Sequence, residues 1–386
     1  MSEVRVNNLS NENNTGGPNI SGITTYSGKH FFVPPQGTTA ERPSDCEPGS
    51  LRFNTDTAHL EYFRGNTIGW VEIEAELTAP LGGGTGSNEG LGTRMIFMGG
   101  TDGSSTLDVI EFITISTLGN VQDFGNLISS EMEGASCSSR TRGFYFGGDP
   151  ADNDIEFITF ASLGNATDFG NCTANSKSGS GCSDQTRGIQ QLGYPGPQNN
   201  ISFITMATTG DALDFGDLVT ARHTAADAAS PIYAFIAGGN TGDNIGNIER
   251  MTISTLGSSQ DFGDLSEIRG STPGGASNST IAIFTMGRSR DSVLLNTIEI
   301  MNMSTQGSAK SFGLINEAGS QVVNATSSAT RAIAMGGMNA PNNAKTDSIH
   351  SITFSSNGGS EEFGDLIYGR TYHYATSDSH GGLGGY

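Results

Sequence analysis

Basic residues are scarce in this sequence: Lys and Arg total 19 against 40 Asp and Glu, a formal net charge of −21. A surface so short of cations repels phosphate backbones and anionic headgroups, so neither nucleic acid nor a membrane surface is an expected partner. Cysteine is equally sparse. Cys46, Cys137, Cys172 and Cys182 show no C-x-x-C spacing and are too few for a disulfide framework or a zinc site, so free thiols are expected. No run approaches eighteen apolar residues, and the opening M-S-E-V-R-V-N-N lacks the basic and apolar regions of a signal peptide. Neither a secretion signal nor membrane insertion is therefore expected. The histidines, His30, His59, His223, His350, His373 and His380, fall without ligand spacing, and nothing calls for a cofactor.

What the sequence does have is one phrase written six times, first as I-E-F-I-T-I-S-T-L-G-N-V-Q-D-F-G-N-L from Ile110 to Leu127. The anchor isoleucines are Ile110, Ile155, Ile201, Ile248, Ile298 and Ile349, and a phenylalanine follows each at a fixed distance: Phe124, Phe169, Phe215, Phe262, Phe312 and Phe363. A period of roughly 45 to 51 residues is that of a four-stranded propeller blade of the kelch or WD type. Three residues after each anchor stand Ile113, Ile158, Ile204, Met251, Met301 and Ile352, and five after it Ile115, Phe160, Met206, Ile253, Met303 and Phe354. Apolar residues on both parities predict a strand buried on both faces, as when one blade lies between two others. A glycine nine residues after each anchor, from Gly119 to Gly358, predicts the turn between third and fourth strands.

The second strand reads R-M-I-F-M-G-G or R-G-F-Y-F-G-G, and the inner strand is small and polar, as in E-G-A-S-C-S-S and N-A-T-S-S-A-T. Copy one starts at Arg94 with no inner strand before it, whereas Phe363 is followed by Y-G-R-T-Y-H-Y-A-T-S. The expected fold is therefore all-β: a six-bladed kelch-like β-propeller over 94–386, closed by a C-terminal strand near Arg370 to Ser379 that pairs with Arg94 to Gly100. Before it, 1–20 reads as a flexible arm and 77–93 as a Gly-rich linker. Between them, 21–76 reads as a small β-meander with strands at Leu51 to Phe53, Leu60 to Phe63 and Trp70 to Ile73. So small a sheet buries little by itself, so Phe53, Tyr62, Phe63 and Trp70 are expected to serve attachment or oligomerisation.

Chemistry is harder to find. D-F-G, at Asp123, Asp168, Asp214 and Asp261, has no kinase context, and the reading is a packed Phe with an Asp bonding the local turn. The recurring Arg94, Arg142, Arg187 and Arg331, and Glu111, Glu156, Glu249 and Glu299, read as supports between strands or blades. His373 and Tyr374, with His223, are placed as polar lining of a central channel. No sialidase or copper-oxidase residue set appears, so no catalytic residue is assigned and the chain is read as non-enzymatic.

The copies I-E-F-I-T-I-S-T-L-G-N-V-Q-D-F-G-N-L and I-S-F-I-T-M-A-T-T-G-D-A-L-D-F-G-D-L-V-T-A-R resemble the kelch-like repeats of virion structural proteins of marine tailed phages, notably cyanophages. G-S-L-R-F-N-T-D-T-A-H-L-E-Y-F-R-G-N-T-I-G-W-V-E-I is similar to the hairpin module of phage fibre and structural proteins, some of which trimerise. The resemblance implies a virion component anchored to other virion proteins by its N-terminal part, with a homotrimer as one state, displaying a propeller as fibre, tail or capsid decoration. It implies no catalytic residue. S-F-G-L at Ser311 and I-H-S-I at Ile349 depart from the pattern.

Three roles stand: recognition of host-surface glycan or protein, pure structural decoration, and an envelope-degrading enzyme. Length variation bears on the choice. From the second glycine position to the next anchor the steps are 10, 7, 8, 9, 11 and 12 residues, while the anchor-to-phenylalanine interval is constant. Variation in one loop type puts it on one rim. Asp102, Asp243, Arg288, Asp291 and Asn339 are the candidate ligand-binding residues there, able to bond sugar hydroxyls or hold calcium weakly. Relaxed loops on an unused surface would vary equally well.

Overall fold

A computed structural model describes residues 34–57, 59–73, 94–339, 342–356 and 358–384. The expected arm (1–20), the linker (77–93) and the ends of the N-terminal module lie outside these residues. The chain divides into two compact units, Met1–Glu76 and Leu77–Tyr386. Among the described residues all regular structure is β, apart from the 3-10 turns Thr39–Glu41 and Gly381–Leu383.

In the first unit Leu51–Asn54, His59–Phe63 and Trp70–Ile73 form the antiparallel meander that alternation and turn residues predict. One strand was not foreseen: Gln36–Gly37 pairs parallel with Phe53 and Asn54 at the sheet edge. Phe63 is buried, its ring 5.5 Å from that of Trp70, and the Trp70 indole N–H donates to the Pro43 carbonyl at 2.9 Å. Phe53, Tyr62 and Trp70 are half-buried. Of the four residues expected to serve attachment, Phe63 is thus used inside the unit, while the other three keep accessible surface.

Among its described residues the second unit contains six four-stranded antiparallel sheets. In order of inner, second, third and outer strand, the second sheet is Ala135–Ser138, Arg142–Phe146, Asp152–Thr159 and Thr167–Ser176. The third (from Ser180), fourth (from Ala226), fifth (from Gly274) and sixth (from Asn324) repeat this order. The first sheet is assembled from both ends of the unit: Arg94–Met98, Val109–Thr114 and Gln122–Asn126 take their inner strand from Tyr374–Ser377, with Tyr374 opposite Met98 and Ser377 opposite Met95. A small extra sheet joins Ser320–Gln321, Met338–Asn339 and Ala344–Lys345.

Apolar residues on both parities of the third strands have the expected result, for the core consists of clusters lying between successive sheets. Ile96, Ile110 and Phe124 of the first sheet pack with Tyr145, Ile158 and Phe160 of the second. The same happens between each following pair, and Ile333, Met335 and Phe363 of the sixth pack with Met95, Phe97 and Ile115 of the first. The inner strands are small because they crowd one another. A ladder of serine hydroxyls runs across them: Ser183 donates to the Ser138 carbonyl, Ser138 to Ser377, Ser377 to Ser327, Ser327 to Ser277 and Ser277 to Ala229, at 2.5 to 2.7 Å. At the sixth place Ala229 has no hydroxyl to give. There the turn Gly381–Leu383 seats itself, with Gly382 so close that a Cβ would lie 1.8 Å from the Ser183 carbonyl oxygen.

The two glycine series of the repeat explain each other. The Gly164 N–H donates to the Phe124 carbonyl at 2.9 Å, Gly210 to Phe169 at 2.8 Å, Gly257 to Phe215 at 2.9 Å and Gly119 to Phe363 at 3.1 Å. Each hairpin turn is thus bonded to the outer strand of the preceding sheet. A Cβ on Gly216 would lie 2.6 Å from the Gly257 carbonyl carbon, and Gly216 itself has φ 145. Side chains fit neither the space nor the backbone. This lock holds the anchor-to-phenylalanine interval constant. The Asp of D-F-G behaves otherwise than expected: Asp123, Asp168, Asp214 and Asp261 are exposed, and among the described residues their carboxylates bond no local turn.

Deleting residues 368–386 should leave Met95–Met98 without an inner-strand partner and lower the unfolding midpoint by on the order of 10 °C or more. An unchanged midpoint in differential scanning calorimetry would refute the closing role of Tyr374–Ser377. Gly216→Ala should cost about 1–3 kcal/mol in chemical denaturation, because the methyl meets backbone that cannot turn aside.

Candidate functional site

Antiparallel order places the loop between second and third strands at the same end of a sheet as the connection from its outer strand to the next inner strand. These segments bond across sheets. The Asn244 amide donates to the Arg288 and Ser289 carbonyls at 2.8 and 3.0 Å, and the Gly287 N–H donates to the Ser320 carbonyl at 2.8 Å. Ser320 pairs with Asn339. The Lys345 side chain closes against Gly103, where it would meet a Cβ at 1.9 Å. The loops of the fourth, fifth, sixth and first sheets thus form a continuous arc carrying all five candidate residues.

Their availability differs. Asp243 and Asp291 are exposed. Asp102 is exposed, and the N–H groups of Ser104 and Ser105 donate to its Oδ1 at 2.7 and 2.8 Å, which holds its carboxyl below the usual range. Arg288 is half-buried and its Nε donates to the Ser292 carbonyl at 3.4 Å. Asn339 turns inward: its amide donates to Glu317, whose other oxygen lies 2.8 Å from His350 Nε2. Asp102, Asp243 and Asp291 are therefore the outward-facing members. No group of three or more His, Cys, Asp or Glu side chains among the described residues is arranged to hold a metal, so the calcium expectation gains no support from these loops.

The same end of the unit holds a ring of left-handed backbone that sequence reasoning missed. Glu133, Ser178, Thr224, Thr272, Val322 and Tyr372, just before the inner strands, have φ of 58, 56, 51, 52, 58 and 58. None is glycine, so the conformation costs energy at each. Backbone bonds hold it: the N–H of Glu133 donates to the Tyr372 carbonyl, Ser178 to Glu133, Thr224 to Ser178 and Thr272 to Thr224, at 2.5 to 3.1 Å. Beside this ring the Lys177 ammonium donates to Asp149 at 2.8 Å, lies 3.9 Å from Glu133 and sits 5.0 Å from the Tyr194 ring centroid.

The repeated charges bridge sheets. Arg94, Arg142 and Arg187 lie 4.6, 4.7 and 5.0 Å from Phe112, Phe157 and Phe203 and donate to carbonyls of the next sheet, at Phe160, Met206 and Ile253. Glu111, Glu249 and Glu299 are buried and take ion pairs from Arg370, Arg222 and Arg269 of the preceding segment. Those three arginines were overlooked, although each stands seven residues after a repeat phenylalanine. Removing one partner of such a pair typically costs about 3–5 kcal/mol, because the other charge is left buried.

Between the six inner strands is a cavity of about 30 Å³ lined by Ser136, Gly181, Asp227, Gly275, Thr326 and Thr376 among others, with His380. That is room for about one water. His373, Tyr374 and His223 do not line it. His373 is buried between Gly100 and Gly336, and Tyr374 packs against Tyr145 at 6.3 Å. The expected channel lining is thus corrected: His373 and His223 stand before their inner strands, which begin at Tyr374 and Ala226, and the Tyr374 ring turns to Tyr145 at the first residue of its strand. Asp227 is the one acid in the lining. Burial pushes its carboxyl up to about 8, opposed only in part by the Gly181 N–H at 3.3 Å.

Comparison with models of known protein families gives no match, and comparison with curated proteins gives none.

Folded Asp227 keeps a proton that the unfolded chain releases between about pH 4 and pH 8. Its burial therefore costs nothing below about pH 4, costs progressively more as pH rises, and reaches its full cost above about pH 8. Asp227→Asn should leave the unfolding midpoint unchanged at pH 4 and raise it at pH 8. Equal pH slopes for the two proteins would show that Asp227 titrates normally.

Proposed function

We propose that the second unit is a six-bladed kelch-like β-propeller, each four-stranded sheet being one blade and Tyr374–Ser377 closing the ring. What supports this is cyclic packing: the sixth sheet packs on the first as each sheet packs on the next, and the serine ladder passes through Ser377 from Ser138 to Ser327. In this reading the chain is a non-enzymatic structural protein of a tailed-phage virion. Its N-terminal unit attaches to other virion proteins and self-associates, a homotrimer being the expected form, through Phe53, Tyr62 and Trp70. The arc of variable loops recognises a host-surface glycan or protein.

One observation carries the recognition role. Hairpins at one end of every sheet are bonded to the neighbouring sheet and cannot change length, whereas the loops at the other end vary in length and leave Asp102, Asp243 and Asp291 in solvent. A surface with freedom to vary and with outward hydrogen-bonding groups suits recognition, while the locked end suits assembly. Particles carrying Asp102→Ala, Asp243→Ala and Asp291→Ala together should adsorb to host cells about tenfold more weakly. Particles with Asn120→Ala and Asn165→Ala at the opposite turns should adsorb normally. Equal adsorption by intact particles of both kinds would remove the recognition role and leave structural decoration.

A further inference from the structure

Where three junctions between sheets bury an arginine against a glutamate, the junction of the first and second sheets buries acids alone. Seven residues after their repeat phenylalanines stand Arg222, Arg269 and Arg370, paired with Glu249, Glu299 and Glu111 of the following sheet. Seven residues after Phe124 stands Glu131. The acid that follows the anchor Ile155 is still present as Glu156, and both glutamates are more than nine-tenths buried, at 6% and 4% exposure. Glu131 Oε1 accepts from the Ser129 hydroxyl at 2.9 Å, and Glu156 Oε2 accepts from the Ile128 N–H at 2.9 Å. Glu131 Oε2 and Asp152 Oδ1 are buried with no donor. Both oxygens are acceptors, and Asp152 is among the groups that push the Glu131 carboxyl up while Glu131 acts to lower that of Asp152.

We propose that this junction is a proton-held latch: Glu131 carries a proton that it donates to Asp152, and release of that proton sets unbalanced negative charge between the first and second sheets. Among the described residues the surroundings offer no cation to neutralise it. From the connection after the first sheet comes Glu131, and from the third strand of the second sheet come Asp152, Asp154 and Glu156. Its second and outer strands contribute Tyr145 and Cys172, both neutral and pushed up by burial. The nearby ammonium of Lys177 is held by Asp149 and Glu133. Desolvation, with the neighbouring carboxylates adding to it, pushes Glu131 and Glu156 up to about 7. No group of three or more His, Cys, Asp or Glu among the described residues is arranged to hold a metal; in this proposal a proton takes the arginine's place.

The latch acts on two loops. The Glu131 carbonyl accepts from the Gly100 N–H at 2.7 Å and its N–H donates to the Leu107 carbonyl at 3.1 Å, closing the base of the loop that carries Asp102. One residue on, the Met132 carbonyl accepts from the Asp149 N–H at 2.7 Å, at the base of the next loop. Charging Glu131 loosens both.

The test compares the full chain with Glu131→Gln, which supplies a permanent donor without charge, and Glu131→Arg, which restores the cation of the sister junctions. Between pH 5 and pH 8 the unfolding constant of the wild-type protein should rise at least about tenfold relative to that of either variant, since each released proton contributes up to about tenfold per pH unit. Parallel curves for all three would overturn the latch. Should the Glu131 variants not fold, Glu156→Gln protein labelled with ¹³C at glutamate decides the matter. A carboxyl signal titrating between pH 6 and 8 in that protein supports the proposal, and glutamate signals that all titrate below pH 5.5 overturn it. Millimolar calcium at pH 8 should leave the unfolding midpoint unchanged. A rise would mean that a metal ion, not a proton, fills the junction.

Discussion

Every sheet of the second unit buries both faces, and that burial requires two neighbours. Ile110 and Phe124 reach one way while Ile113 and Ile115 reach the other, so no sheet can stand at the end of a row without exposing a third strand made almost wholly of apolar residues. An open stack would leave two such faces in water. The arrangement removes them by returning the sixth sheet to the first, and the other features follow from that return. Inner strands are driven together, which selects Ser, Ala and Gly for them, and their hydroxyls then find carbonyls of the next strand in place of water. Buried polar atoms so close need partners, and the ladder supplies them.

Charge follows the same logic. Successive sheets meet along a long interface, and at three junctions where a glutamate is caught in it the preceding segment supplies a guanidinium. Such pairs add little net stability but strongly penalise a wrong neighbour, because a slipped sheet would leave an ion unpaired. The sixth sheet replaces the glutamate with His350 and draws Glu317 to it. The third has Ser202 in the place of the glutamate. The repeat is therefore structurally regular and electrostatically individual, each junction carrying its own solution.

What could be read from the sequence was whatever recurs at fixed spacing within one repeat. The anchors, the hairpin glycine, the phenylalanine and the small inner strand all fall within about 30 residues, and their periodicity alone gives strand, turn and burial. Features that join one repeat to another were less visible. Arg222 bonds Glu249 across a sheet boundary, and no local pattern links two residues of different repeats. His373 was misplaced because the inner strand begins one residue later, at Tyr374, and no period marks where a strand starts. Gln36–Gly37 is too short to have a period. Polarity and loop position gave five candidate binding residues alike; Asp102, Asp243 and Asp291 are exposed, whereas the Asn339 amide is committed to Glu317. Composition cannot separate an asparagine that faces water from one that serves a neighbouring carboxylate.

The first sheet takes its inner strand from a segment far along the chain, the Arg94 N–H and the Asp378 carboxylate being 284 residues apart where they bond. During synthesis the second to sixth sheets can each complete as they leave the ribosome, whereas the first waits with three strands and a bare apolar face until residue 377 has emerged. Translation at roughly 5–20 residues per second makes that wait some tens of seconds. For that interval the nascent chain displays the face most prone to pair with another copy of itself, so neighbouring ribosomes on one message are where a wrong closure between two chains would begin.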